Sequence, residues 1–203
     1  MRRNWRKVPW YLRYRVGGRW ASELRKIMVL ATHRHCRVEF QGPVRLGPGF
    51  ELDIPDRGTF IVGPGVDFRR RFVCEISRDG RVVIGGGTVF TAEALIQCTT
   101  SIEIGTRCGF GQSTFIVDGN HRFRDYTRHW SDQGDNFRPI RIGNNVAVNT
   151  KCTVINSIGD GAVIGANSVV TKEVPPYCLA VGIPARVVEY FGPPELRPAG
   201  LDL

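Results

Sequence analysis

At 203 residues the chain is long enough for one packed domain with an appendage. Its 24 glycines and 12 prolines are scattered without any low-complexity stretch, a composition of many turns between short strands that excludes a disordered or fibrous chain. Charge is uneven: residues 1–37 carry eleven bases and one acid, Glu23, a net of +10, whereas the remainder carries 17 bases and 18 acids, a net of −1. A basic segment on a nearly neutral body argues against nucleic acid as a partner.

Residues 1–37 form the first unit, a basic amphipathic segment. Trp5, Trp10, Tyr11 and Tyr14 interleave with arginines, and Trp20, Leu24, Ile27 and Ala31 follow helical spacing, with Arg19, Glu23, Arg25 and Lys26 around them. Three readings stand side by side: a helix capping the open end of a solenoid, peripheral binding to anionic lipid, or a protein-docking surface. The apolar run from Ile27 to Ala31 is too short to cross a bilayer, and the N-terminus lacks the apolar core of a secretory signal. The expected location is the cytoplasm, with peripheral contact at the inner face of the membrane.

Residues 38–176 are governed by a repeat. Aliphatic-glycine pairs recur at Leu46-Gly47, Val62-Gly63, Ile84-Gly85, Ile104-Gly105, Ile142-Gly143, Ile158-Gly159 and Ile164-Gly165. Positions 142, 148 and 154 keep a period of six, which resumes at 158, 164 and 170 after a slip of two residues. Six fits neither strand alternation nor a helix. It fits a short strand plus a turn, so that three units make an eighteen-residue triangular coil and successive coils bury one aliphatic column. The 38 residues from Ile104 to Ile142 then hold one coil and an external loop, about 117–139, that contains His121. Glycines 85–87 lack a following Gly-Lys-Ser/Thr and read as a turn rather than a phosphate loop.

Cys36, Cys74, Cys98, Cys108, Cys152 and Cys178 show no metal-like spacing and read as free thiols, mostly buried. Residues 177–203 are a C-terminal extension, with a strand or helix from Arg186 to Phe191 and a loose tail from Gly192. His33, His35 and His129 read as surface residues.

The stretches IGNNVAVN, IGDGAVIGANSVVTKEVPP and AVGIPARVV, together with the DGNH around His121, resemble the hexapeptide-repeat acyltransferases. They are most similar to the sugar O-acetyltransferase branch. The resemblance runs from about Ile84 to Glu189. It implies an all-β fold, a left-handed parallel β-helix of hexapeptide repeats that forms a homotrimer with active sites between subunits. It also implies acetyl-CoA or another acyl-CoA as co-substrate and no metal. His121 matches the catalytic histidine, a general base whose ordinary pKa near 6.5 suits proton removal from a hydroxyl. Asp118 or a backbone carbonyl is the candidate that orients it. Ala147, Asn149, Thr150 and Ala166 match positions along the pantetheine arm of CoA, and Thr171, Lys172 and Arg186 match positions near its phosphates.

The chain departs from the family in four places. Ala147-Val148-Asn149 replaces the usual Trp-Ile-Gly, which removes an aromatic wall and admits a longer acyl chain. The turn at Ile155 to Ser157 is two residues short. Thr91 and Thr99 stand where an acceptor-binding Asn and Asp are usual, and with Asn120 they are the candidate acceptor contacts. Glu189 replaces a second arginine. The function implied is an acyl-CoA-dependent O-acyltransferase acting on a saccharide, polysaccharide precursor or glycolipid hydroxyl. N-acylation of an amino sugar and a non-catalytic scaffold are alternatives, as is a γ-type carbonic anhydrase, for which zinc-binding histidines are short.

Overall fold

The computed structural model describes residues 17–199; Trp5, Trp10, Tyr11 and Tyr14 lie outside them. The chain winds through three parallel sheets in turn. The first holds Arg37–Phe40, Thr59–Val62, Arg81–Ile84, Ser101–Ile104 and Ile140–Ile142, and single bridges extend it through Ile158 to Val174. The second runs from Arg45–Leu46 to Cys178–Gly182, and the third from Glu51–Asp53 to Val169–Val170. This is a left-handed parallel β-helix of triangular section.

The register shows where the six-residue rhythm is kept and where it is not. Phe40, Val62, Ile84, Ile104, Ile142, Ile158 and Val174 stack in line on the first sheet. Leu46, Phe68, Phe90, Phe110, Val148, Ile164 and Ala180 stack on the second. Leu52, Cys74, Ile96, Ile116, Val154 and Val170 stack on the third. From first sheet to second, and from second to third, the step is six residues at every coil. From the third sheet back to the first it is 10, 10, 8, 26, 4 and 4 in succession. No coil therefore has the expected eighteen residues; the third corner absorbs all of the variation, including the slip seen in the sequence.

Core volume follows coil length. The wide early coils take phenylalanine, with Phe68 stacked on Phe90 at 5.3 Å and Phe90 on Phe110 at 4.6 Å between centroids. The narrow later coils take Val148, Ile164 and Ala180 at the same positions. Coils also press together at the corners: a Cβ on Gly85 would lie 2.5 Å from the Gly105 carbonyl carbon, so only glycine fits there. All six cysteines are free thiols; five are buried in this core and Cys36 is half-buried.

An α-helix, α1 (Gly17–Thr32), lies across the first coil. That coil would otherwise present unpaired peptide groups, as any sheet edge does. Ser22 is buried, and its Oγ accepts the Leu46 N–H at 2.8 Å, while Arg25 Nη1 donates to the Leu46 carbonyl at 3.1 Å. The helix thus packs with its polar side inward, and Trp20, Leu24, Ile27 and Met28 remain 61–73% exposed. At the other end the Arg186 region forms a strand, Ala185–Tyr190, antiparallel to Cys178–Gly182. No described helix is long and apolar enough to cross a membrane.

Candidate active site

The 26-residue step at the third corner is a hairpin. Strand Gly119–His121 pairs antiparallel with Asp135–Phe137, which places His121 directly opposite Asp135. Cross-strand neighbours in such a pair face each other, and His121 Nδ1 lies 2.7 Å from Asp135 Oδ1. The carboxylate accepts the Nδ1–H and so leaves the lone pair on Nε2, the tautomer a general base needs. Trp130, in the 3₁₀ turn Trp130–Asp132, meets the imidazole edge-to-face at 4.8 Å. His129 is exposed and accepts the Ser131 N–H in the same turn. The His121 side chain is 65% exposed.

Asp118 does not orient His121. Inward positions alternate along a strand, and after Ile116 the next inward position is Asp118, in line with Ile54, Ile76 and Cys98. Its side chain is buried, at 4% exposure, and accepts hydrogen bonds from the backbone N–H groups of Thr99 (2.9 Å), Thr100 (2.6 Å) and Ser101 (3.1 Å), and from the Thr100 hydroxyl at 2.8 Å. Asp118 therefore fastens the root of the hairpin to the coil beneath it. Burial, and then the neighbouring Asp118 carboxylate, push the Cys98 thiol up to about 12.

Between the hairpin and the long third corners of the early coils lies a cavity of about 750 Å³. Thr99, Asn120 and His121 line it together, with Asp53, Glu75 and Gln97 along its outer-facing wall. Gln97 Nε2 donates to Glu75 at 2.6 Å, and the Arg78 guanidinium covers the Phe137 ring at 5.2 Å. Thr91 is not part of this cavity. It follows the second sheet at the opposite corner, with its Oγ1 buried and unbonded.

The other predicted residues divide between two edges of the prism. Thr171 and Lys172 sit at the same corner as His121, two coils further on, both exposed; the Thr171 carbonyl accepts from Asn156. Asn149, Thr150 and Ala166 stack at the corner that also bears Thr91, with Ala147 on the adjoining strand. Asn149 Nδ2 donates to the Ile164 carbonyl at 2.9 Å. Arg186, on the terminal strand, is exposed and donates to the Ala185 carbonyl. A single chain brings His121, Asn120 and Thr99 together, but not these with Thr91 or Asn149. Sequence spacing does not single out Asp135 and Trp130, since only the antiparallel hairpin carries them back to the histidine. Among the described residues no group of three or more His, Cys, Asp or Glu is arranged to hold a metal.

No family model matches the chain. A probable acetyltransferase of Mycobacterium tuberculosis is 31% identical over 186 residues, covering 90% of this chain and 58% of the relative. The chain thus spans little more than half the length of that relative. The galactoside O-acetyltransferase of Escherichia coli is 53% identical over 53 residues, 25% of this chain and 26% of that one. Among solved structures, a hexapeptide-repeat-containing acetyltransferase from Vibrio cholerae aligns with a TM-score of 0.52 at 26% identity, over 71% of this chain and 72% of that one.

Proposed function

We propose, on the premise that the chain belongs with the hexapeptide-repeat acetyltransferases, that it is an acyl-CoA-dependent O-acyltransferase for a saccharide or glycolipid hydroxyl. The observation that carries the reading is the His121–Asp135 pair lining a cavity that also holds Asn120, Thr99 and Gln97. Nε2 of His121 takes the acceptor proton as the oxygen attacks the thioester carbonyl. The C–S bond then breaks, and the proton returns to the leaving thiolate. A backbone N–H of a neighbouring coil holds the oxyanion.

On the donor side, Lys172 and Arg186 are exposed cations without a carboxylate partner among the described residues, which suits them to CoA phosphates. Thr171 would join them, with Ala147, Asn149, Thr150 and Ala166 along the pantetheine arm. These groups occupy two different corners, so a homotrimer that sets one corner of each copy against the other corner of its neighbour would complete the site. The small side chain of Ala147 leaves room for acyl chains longer than acetyl. Thr99 and Asn120 would contact the acceptor. Thr91, half-buried at another corner, would reach it only from a neighbouring copy. The enzyme would work in the cytoplasm, with residues 1–37 at the inner face of the membrane. A second reading, N-acylation of an amino sugar, is favoured by the acids Asp53, Glu75 and Asp135 around the cavity, which would hold an ammonium group.

The test is release of free CoA thiol from acetyl-CoA with panels of saccharide and amino-sugar acceptors. His121→Ala should lower turnover by about 10²–10⁴-fold. A variant with full activity would remove His121 from the mechanism.

A further inference from the structure

We infer that α1 is the seat of the protein on an anionic lipid surface, with Trp20, Leu24, Ile27 and Met28 as the inserted face. Among the described residues, capping gives that face no intramolecular role. The groups that meet the first coil are Ser22, Arg25 and Val29, on the other side of the helix. Residues at i, i+4, i+7 and i+8 form one stripe, and all four are more than 60% exposed.

Charge selects the occupant. The sixteen residues that precede α1 contain six bases and no acid, and include Trp5, Trp10, Tyr11 and Tyr14. Within α1 the one acid, Glu23, is paired with Lys26 at 2.7 Å, and no acid among the described residues pairs with Arg19. A stripe of Trp, Leu, Ile and Met on a helix that follows six bases and no acid in the sequence fits a bilayer bearing acidic headgroups. A second copy of the same segment would bring +10 against +10 and be repelled. Beside the stripe a cleft of about 950 Å³ opens between α1 and the first turns, walled by Trp20, Pro43, Val44 and Val66 with Arg19 and Arg45 at its rim. Arg45 is already paired with Asp67, so Arg19 is the cation available to a headgroup.

The placement bears on the proposed reaction, and this part of the inference rests on that reading. The His121 cavity extends along the third corner to Asp53 and Asp56 on the first coil, the coil that α1 covers. The α1 linker borders it: His35 Nε2 lies 2.9 Å from the Ile54 carbonyl, and Cys36 Sγ contacts the Asp56 carbonyl at 3.5 Å. Lys172 and Arg186 lie toward the opposite end of the solenoid. A seated α1 would turn the acceptor side to the lipid and the donor side to water, as a lipid-linked saccharide requires.

The experiment is co-sedimentation of the full chain with vesicles of phosphatidylcholine alone and of phosphatidylcholine with about one-third phosphatidylglycerol, without acyl-CoA. Wild-type protein should pellet with the anionic vesicles and not with the neutral ones. L24E/I27E should lower the partition coefficient tenfold or more, and L24A/I27A by an intermediate amount, with unchanged far-ultraviolet circular dichroism. Absence of wild-type binding would overturn the inference. So would undiminished binding by L24E/I27E, which would assign the contact to residues 1–16. A wild-type particle that becomes smaller in L24E/I27E would also overturn it, by making the occupant a second copy. Vesicle binding and CoA release are read separately, so either result can fail while the other stands.

Discussion

Asp118→Ala tests whether the hairpin that carries His121 is fastened through the core. The carboxylate accepts three backbone N–H groups and one hydroxyl, at 2.6–3.1 Å, from a position only 4% exposed. Hydrogen bonds to a charged group contribute roughly 1.5–3 kcal/mol each, and a buried donor left unpaired costs roughly 1–3 kcal/mol. The contributions are not additive, and Thr99 to Ser101 lie at a corner where water can reach part of the gap. The expected loss is therefore about 3–5 kcal/mol. At roughly 2–4 °C per kcal/mol for a domain of this size, the thermal midpoint followed by circular dichroism should fall by about 10 °C. Thr100→Val removes the hydroxyl partner alone and should cost about 1 kcal/mol. If Asp118→Ala unfolds within about 2 °C of wild type, Asp118 does not anchor the hairpin, and its placement in the core ladder needs another explanation.

Asp135→Asn should behave in the opposite way. Asp135 is half-exposed on the hairpin and touches His121 rather than the core, so the thermal midpoint should stay within about 2 °C while kcat falls by roughly 10–10³-fold. An unchanged kcat would show that the imidazole does not need its partner. The thiols give an independent reading of the solenoid interior. Burial pushes Cys74 well above its ordinary value and Cys98 to about 12, and Cys108, Cys152 and Cys178 are also raised by burial. At pH 8 these thiols are protonated as well as inaccessible. A disulfide reagent should titrate at most one thiol in the native protein, the half-buried Cys36, and all six in denaturant. Rapid reaction of three or more native thiols would contradict the packed core.

Two of the three corners keep the six-residue step at every coil, and this is why the repeat and the fold class are legible in the sequence. The third corner is not legible, because its steps of 10, 10, 8, 26, 4 and 4 obey no period. The candidate site is built there, from turns of different length and one hairpin, so the sequence reveals His121 through its neighbours but not Asp135, fourteen residues away. Asp118 was nevertheless within reach of strand parity. Ile116 points inward, so Asp118 must also point inward, and proximity to His121 along the chain was the wrong guide.

The helix makes the same point from the other direction. Its stripe of Trp20, Leu24 and Ile27 is plain in the sequence, and amphipathic helices usually bury such a stripe against a core. The end of a β-helix, however, offers the peptide groups of its last coil as well as apolar side chains. Leu46 requires an acceptor for its N–H and a donor for its carbonyl, and Ser22 and Arg25 supply them. The surface to be covered thus selects the polar side of the helix. The apolar side is left facing outward as a consequence of capping, so capping and lipid contact are complementary uses of two faces of one helix.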